Sequence, residues 1–288
     1  MLMTTEPLLL TMEDDVARIT LNRPDVFNAL SIELSGRLVE AIATIKQSTT
    51  VKFVVIQGAG GNFCVGDDIT EMPKWGDDEF GNSSQGANGV MRRVKIYQDM
   101  ANSLEELDKL TIAAVEGYAV GGGLEITMAC DFVIATEDAK WGMPEVDSGI
   151  TPGWGGTTRM VRYIGKRRTK EINIIGALMP AHRAVDWGLW NRVVMEGKLD
   201  DEVGALLDVL RIKNQQACRQ LKYIINRSAE TDLYTAQGFE MLSGGLSGAV
   251  NGLWQVADAD QGKGVADFEN KGDLWKKRRA KSKHFWSD

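Results

Sequence analysis

Two glutamates on two glycine-rich corners are the residues of this sequence best placed to do chemistry. Glu125 follows Gly121-Gly122-Gly123, and Glu145 stands in Gly142-Met143-Pro144-Glu145, with Gly149 and Pro152-Gly153-Trp154-Gly155-Gly156 after it. Residues without a Cβ let the backbone approach a ligand closely. The first amides of a helix have no intrahelical partner and sit at its positive end. A glycine run opening a helix therefore suits a developing oxyanion. A carboxylate one helical step later is well placed to be tuned and aimed. A second, on a proline-stiffened turn, could join it as an acid/base pair on one bound water. Each feature alone has a plainer explanation. The triple glycine could be a packing device, Glu125 a helix-start charge stabilised by the dipole, and Glu145 a solvated loop carboxylate.

The elements that must position these corners follow from hydrophobic patterning. Val16-Ala17-Arg18-Ile19-Thr20-Leu21 alternates as a strand, stopped by Asn22-Arg23-Pro24. Ser31 can cap a helix whose apolar stripe is Leu34, Leu38, Ile42 and Ile45. Phe53–Ile56 and Thr111–Val115 read as buried strands, and Phe132–Ala135 as another. Between them a helix is expected through Val94, Tyr97, Met100, Leu104 and Leu107, and a second opens at Leu124 after the triple glycine. Residues 76–89 are the most loop-like stretch. The alternation of strand and helix argues for an α/β fold. Beyond about residue 200 the pattern is helical without a strong strand, which divides the chain into a core at 1–200 and a helical part at 201–288.

Composition removes several classes of function. The chain has 288 residues, 43% of them hydrophobic and 25% charged, with a net charge of −7. That is ordinary for a globular protein and the opposite of the basic balance a nonspecific nucleic-acid binder needs. No apolar run approaches membrane-spanning length. Cys64, Cys130 and Cys218 are far apart, and His182 and His284 are the only histidines, so no disulfide framework or metal-site spacing is present. Leu8–Leu10 is too short for a signal core, so a cytoplasmic protein is expected. Gly58-Ala59-Gly60-Gly61 follows a strand, but Phe63 occupies the third glycine position of a dinucleotide fingerprint.

The segment from Ile112 to Glu125 resembles the signature of the enoyl-CoA hydratase/isomerase (crotonase) family. So do Cys130–Ala135, the Pro144-Glu145 corner, and Pro152 through Arg159. The likeness extends to Thr20–Pro24 with Asn28-Ala29-Leu30, and to Phe63-Cys64-Val65-Gly66-Asp67-Asp68-Ile69-Thr70-Glu71-Met72. It closes with Asp260–Gly264, Phe268 and Lys271, so the motifs run in order from about residue 16 to 271.

The resemblance implies a spiral of ββα units to about residue 200, then a helical trimerisation region that covers coenzyme A. It implies a homotrimer or dimer of trimers acting on an acyl-CoA thioester, with no metal or redox cofactor. By position, the backbone amides of Asp67 and Gly122 would hold the thioester oxygen, with Glu145 as the main protic residue and Glu125 holding the water. Asp67 stands where small residues are common, and the sequence leaves open whether its side chain faces the site. Arg23, Asp68, Ile69, Gly153, Trp154, Phe268 and Lys271 are the expected substrate and coenzyme A contacts, with the basic run 276–283 a further candidate for the phosphates. Gly153 falls where the family's dienoyl isomerases place an aspartate. The retained glutamate pair favours hydration of an enoyl-CoA. The alternatives are another family activity (isomerase, aromatic hydratase-lyase or ring-opening hydrolase) or a non-catalytic RNA-binding relative. Trp141, Met143, Trp154, Met72 and Trp75 are read either as core packing or as the walls of a wide acyl pocket.

Overall fold

The computed structural model describes residues 6–72 and 87–250. Its main sheet starts from β2 (Val16–Leu21), which pairs antiparallel with β1 (Leu8–Glu13) and parallel with β3 (Phe53–Gly58). The parallel ladder continues through β4 (Leu110–Val115), β6 (Phe132–Thr136) and β9 (Arg192–Val194). Every residue of β4 is buried, as expected of a strand covered on both faces.

A second sheet contains β5 (Tyr118–Val120), β7 (Lys140–Gly142) and β8 (Met179–Pro180). The two sheets repeat one pattern. β4 leads to β5 and then α3 (Gly122–Met128); β6 leads to β7 and then α4 (Gly156–Ile175). Consecutive turns stack in register, Ile112 on Phe132 in one sheet and Tyr118 on Lys140 in the other. An isolated bridge from Cys64 to Ala119 carries the pattern back to the segment after β3. These are the stacked ββα turns of the expected spiral.

Helix α1 (Ile32–Gln47) starts where the sequence says it should: the Ser31 hydroxyl accepts the Leu34 amide at 3.1 Å, and Leu34, Leu38, Ile42 and Ile45 are buried. Helix α2 (Ala87–Glu105) absorbs residues 87–89 from the expected loop and stops short of Leu107. Helix α3 begins inside the glycine run at Gly122, two residues earlier than expected, with Gly121 as its N-cap. The short α5 (Ala181–Asp186) precedes β9. One hydrophobic core, from Leu8 to Trp190, fills the space between sheets and helices.

The chain divides into two compact units between Val203 and Gly204. Helix α6 (Leu199–Arg211) crosses that boundary, and α7 (Gln215–Ser228) and α8 (Leu233–Val250) follow. Within the second unit α7 and α8 pack together, with Tyr223 edge-on to Phe239. No helix among the described residues is long and apolar enough to cross a membrane. Trp75, residues 76–86, Phe268, Lys271 and the basic run 276–283 lie outside the described residues.

Candidate active site

Three backbone corners converge on one cavity of about 120 Å³ in the first unit. The corner holding Asp67 is built by the loop before α1. Asn28 is buried and bonds Ala59 and Asn62 carbonyls through Nδ2, while its Oδ1 accepts the Arg23 amide. That clamp sets Leu30 beside the 66–68 segment, where Leu30 N donates to Gly66 O and Asp68 N donates to Leu30 O. The intervening Asp67 amide points the other way. Gly66 in turn packs against the start of α3: a Cβ there would lie 3.0 Å from the Gly122 nitrogen. The Asp67 and Gly122 amides are thus neighbours, and neither donates to an acceptor among the described residues.

Glu125 sits in the first turn of α3 and is almost wholly buried. Its Oε1 accepts the Trp154 amide at 2.9 Å and the Gly156 amide at 2.6 Å, so the corner before α4 fixes its carboxyl. Burial pushes Glu125 up to about 8, reinforced by the charges of Glu145 and Asp67 and opposed by those two amides. Glu145 lies on a single-turn 3₁₀ segment, Pro144–Ser148, after β7. Its Oε1 comes close to the N-cap of α3, 2.7 Å from where a Gly121 Cβ would stand, and its Oε2 is buried without a hydrogen bond. Burial raises its pKa as well.

Asp67 belongs to the lining of the same cavity, and its carboxyl is tied to the Trp154 corner. Its Oδ2 accepts the Trp154 indole N–H at 3.2 Å, and Oδ1 is buried with no hydrogen bond. Burial pushes Asp67 up to about 7, against the Trp154 bond and with the Glu145 charge. Burial raises all three carboxyls, and the Glu145 charge raises both Asp67 and Glu125 further.

Ile69, Gly153 and Trp154 line the cavity as expected. Asp68 does not: it bonds the Thr70 hydroxyl and amide and pairs with Arg23 at 2.9 Å, and these contacts, the Thr70 hydroxyl first, hold its carboxyl below the usual range. Arg23 also donates to the Ala29 carbonyl, so both residues brace the Asp67 corner from behind. Trp141 and Met143 are wholly buried outside the lining, with the Trp141 indole donating to Pro180 O and packed edge-on to Trp187. Among the described residues, no three His, Cys, Asp or Glu side chains are arranged to hold a metal ion.

The family model for enoyl-CoA hydratase/isomerase matches residues 11–274. The chain belongs to that family. It is 36% identical over 234 residues to the short-chain-enoyl-CoA hydratase of Clostridium acetobutylicum, covering 81% of this chain and 86% of that one. It is 33% identical over 273 residues to the crotonyl-CoA hydratase of Syntrophomonas wolfei, covering 93% and 97%. Among solved structures, enoyl-CoA hydratase from Mycobacterium smegmatis superimposes with a TM-score of 0.79 at 27% identity, covering 92% of this chain and 96% of that one. The crotonase fold expected from the motifs is therefore the fold observed.

Some residues of the site escape sequence reasoning. Tyr97 stacks on Trp154 at 4.4 Å with an interplanar angle of 17°, forming the cavity wall behind the Asp67 carboxyl. Its helical spacing marked it as buried, and nothing in the spacing says against what. Arg159 holds the 154 corner by donating to Trp154 O at 3.1 Å while bonding Glu105 and Asn102 on α2. Ser148, Ile150 and Thr151 complete the rim between the two glutamate corners.

Proposed function

We propose that this chain is an enoyl-CoA hydratase, adding water across the α,β double bond of an enoyl-CoA thioester or removing it in reverse. The observation that carries the reading is the delivery of Glu125 and Glu145 to one cavity beside the paired amides of Asp67 and Gly122. The names of the similar proteins support it.

The chemistry follows from that arrangement. A thioester-conjugated alkene is a weak electrophile at Cβ until its carbonyl is polarised. The two amides stabilise the enolate oxygen; removing one such donor typically costs about 3–4 kcal/mol. Water forms a bond to Cβ as Glu145 takes its proton, the π electrons move onto the thioester oxygen, and Glu145 returns that proton to Cα as the enolate collapses. Glu125, fixed by the Trp154 and Gly156 amides, holds the water. The reading assigns no metal or redox group, since amides and carboxyls supply both activation and proton transfer.

Ile69, Gly153 and Trp154 would contact the acyl group. Arg23, with Nε and Nη2 making no bond to the described residues, would meet coenzyme A together with Phe268 and Lys271. Asp68 would act through Arg23. We assign residues 1–200 to the spiral core and 201–288 to a helical region for trimer contacts and coenzyme A covering, in a cytoplasmic homotrimer or dimer of trimers without a nucleic-acid partner and with a place in fatty-acid metabolism. The test is a panel of enoyl-CoA thioesters, from crotonyl to cyclic and aryl, followed by loss of the conjugated absorbance and product mass. Gain of one water is expected, and Glu125→Gln and Glu145→Gln should each lower turnover about 10²–10⁴-fold. A shifted double bond, a released aldehyde or a ring-opened acid would replace the reaction with isomerisation, hydratase-lyase or hydrolase chemistry.

A further inference from the structure

We infer that Asp67 is a positioning residue: by accepting the Trp154 indole N–H, its carboxyl locks the corner that offers the paired amides to the corner that aims Glu125. The inference rests on the hydratase reading and adds a side chain to the machinery of the same site.

An oxyanion hole needs only the amide of residue 67, so the side chain can serve another end. Its Oδ1 is buried and its Oδ2 is taken up by the Trp154 indole N–H at 3.2 Å, so the carboxyl acts on the protein and not on the acyl chain. Trp154 is the residue that joins the corners. Its indole packs against Gly122, where a Cβ would lie 3.5 Å from Nε1 and from Cε2, and stacks on Tyr97 at 4.4 Å. Its backbone amide donates to Glu125 Oε1 at 2.9 Å. One indole thus touches both residues of the amide pair, and the main chain of the same residue fixes the carboxyl assigned to the water.

Trp154 stands between Gly153 and Gly155, so its neighbours give its backbone little stiffness. Arg159 holds its carbonyl at 3.1 Å, and the Tyr97 stack fixes the plane of the ring. A stack still lets the ring slide and turn within that plane; a directional bond at Nε1 stops it. The indole has a single donor, and Asp67 Oδ2 is its acceptor. Without the carboxyl a buried N–H is left unpaired, which is the expensive way to bury one. The ring would then turn toward another acceptor and carry the amide that holds Glu125 with it. The bond asks for an acceptor and not for a charge. Burial pushes Asp67 up to about 7, and a carboxyl keeps an acceptor oxygen whether ionised or neutral. An asparagine at 67 would serve as well.

Two readouts test this. The first is steady-state hydration of crotonyl-CoA by the wild type, Asp67→Ala, Asp67→Asn, Trp154→Phe and the double variant Asp67→Ala/Trp154→Phe. Asp67→Ala should lower kcat about ten- to hundredfold and leave KM within about threefold, since the backbone amide remains. It should fold, because it also removes the unpaired Oδ1. Asp67→Asn should stay within about threefold of wild type. In the Trp154→Phe background, which has no indole N–H, adding Asp67→Ala should cost no more than about threefold. The second readout needs no turnover. In the NMR spectrum of protein carrying heavy-nitrogen tryptophan, the Trp154 indole and backbone signals are those missing from Trp154→Phe. Asp67→Ala should move both, and far more than Asp67→Asn does. Wild-type turnover in Asp67→Ala, its full loss repeated in the Trp154→Phe background, or a moved indole signal with an unmoved backbone signal would overturn the inference. So would equal losses in Asp67→Ala and Asp67→Asn, which would make the charge or proton of Asp67 the thing that matters. Both signals moving in a chain that adds no water to any enoyl-CoA would leave the tie standing and remove the hydratase reading.

Discussion

Replacing Gly156 with alanine would displace Glu125 without removing any group that reacts. A Cβ at Gly156 would lie 2.5 Å from Glu125 Cγ, 2.6 Å from Glu125 Oε1 and 2.7 Å from Met143 Cε. Met143 is wholly buried, so the carboxyl must yield. Its bonds to the Trp154 and Gly156 amides, at 2.9 Å and 2.6 Å, would lengthen or break. At about 0.5–1.5 kcal/mol net for each bond, offset by up to about 1 kcal/mol from the helix preference for alanine, folding stability should drop by only about 1–2 kcal/mol. Activity is more sensitive. A misplacement of about 1 Å typically costs about 10²-fold, equivalent to about 2.7 kcal/mol of barrier. The loss should appear in kcat, because the grip on the thioester is untouched. The assay is loss of enoyl-thioester absorbance on crotonyl-CoA, beside a melting curve for each variant. Gly36→Ala is the matched control. It lies on the exposed side of α1 with nothing within 4 Å of the new Cβ, and should raise stability by about 0.5–1 kcal/mol at wild-type turnover. A folded Gly156→Ala variant that hydrates crotonyl-CoA within about threefold of wild type would refute the claim that this corner aims Glu125.

Arg159→Ala should destabilise the chain by about 3 kcal/mol, since it removes a mostly buried ion pair with Glu105, the bond to Asn102 and the donor to Trp154 O; chemical denaturation measures the loss, and turnover should fall with it as the Trp154 corner loosens. Stability should also depend on pH through the site. Burial holds Glu125 and Asp67 above their ordinary values, at about 8 and about 7. The folded state therefore retains protons that the unfolded chain releases, and the stabilisation, full below the unfolded carboxylate range, is lost as pH rises through 7 and 8. Melting temperatures between pH 5 and 9 should decline accordingly, and Glu125→Gln should flatten the decline; an unchanged slope would mean that Glu125 is not the group responsible.

The parts of this fold that were legible are those where burial is one-sided and continuous. Helix α1 announced itself through Ser31 and a four-residue stripe, β2 through alternation, and β3, β4 and β6 through apolar runs. Strand β1 was missed because only Leu8 of its six residues is buried, so no alternation shows. Strands β8 and β9 have two and three residues, too few for any period. The glutamate corners were legible because glycine and proline mark them. The direction of the Asp67 carboxyl was not, because it is set by an indole 87 positions away. Trp141 and Trp154 illustrate the same limit: both are almost wholly buried, one in the core and one against the reacting groups. Residue type carries burial; only tertiary contact says which surface is being buried.

Three carboxyls beside an oxyanion hole set up a conflict that the same burial resolves. If all were ionised, their charge would oppose the enolate that the two amides must stabilise. Each, however, sits where desolvation disfavours the charged form. Glu125 and Asp67 are raised furthest, and the mutual repulsion lets few charges coexist. Glu145 is raised by burial as well, on a turn that is less buried than Glu125. The less buried position of Glu145 suits it to the proposed part of base toward water, and Glu125, held through Oε1 by the Trp154 and Gly156 amides, to the proposed part of holding that water. Burial also favours the uncharged form of Asp67, which adds less repulsion to the enolate. The proposed division of labour between the two glutamates thus has a geometric side: the deeper one is held by two backbone amides, and the shallower one stands on a turn.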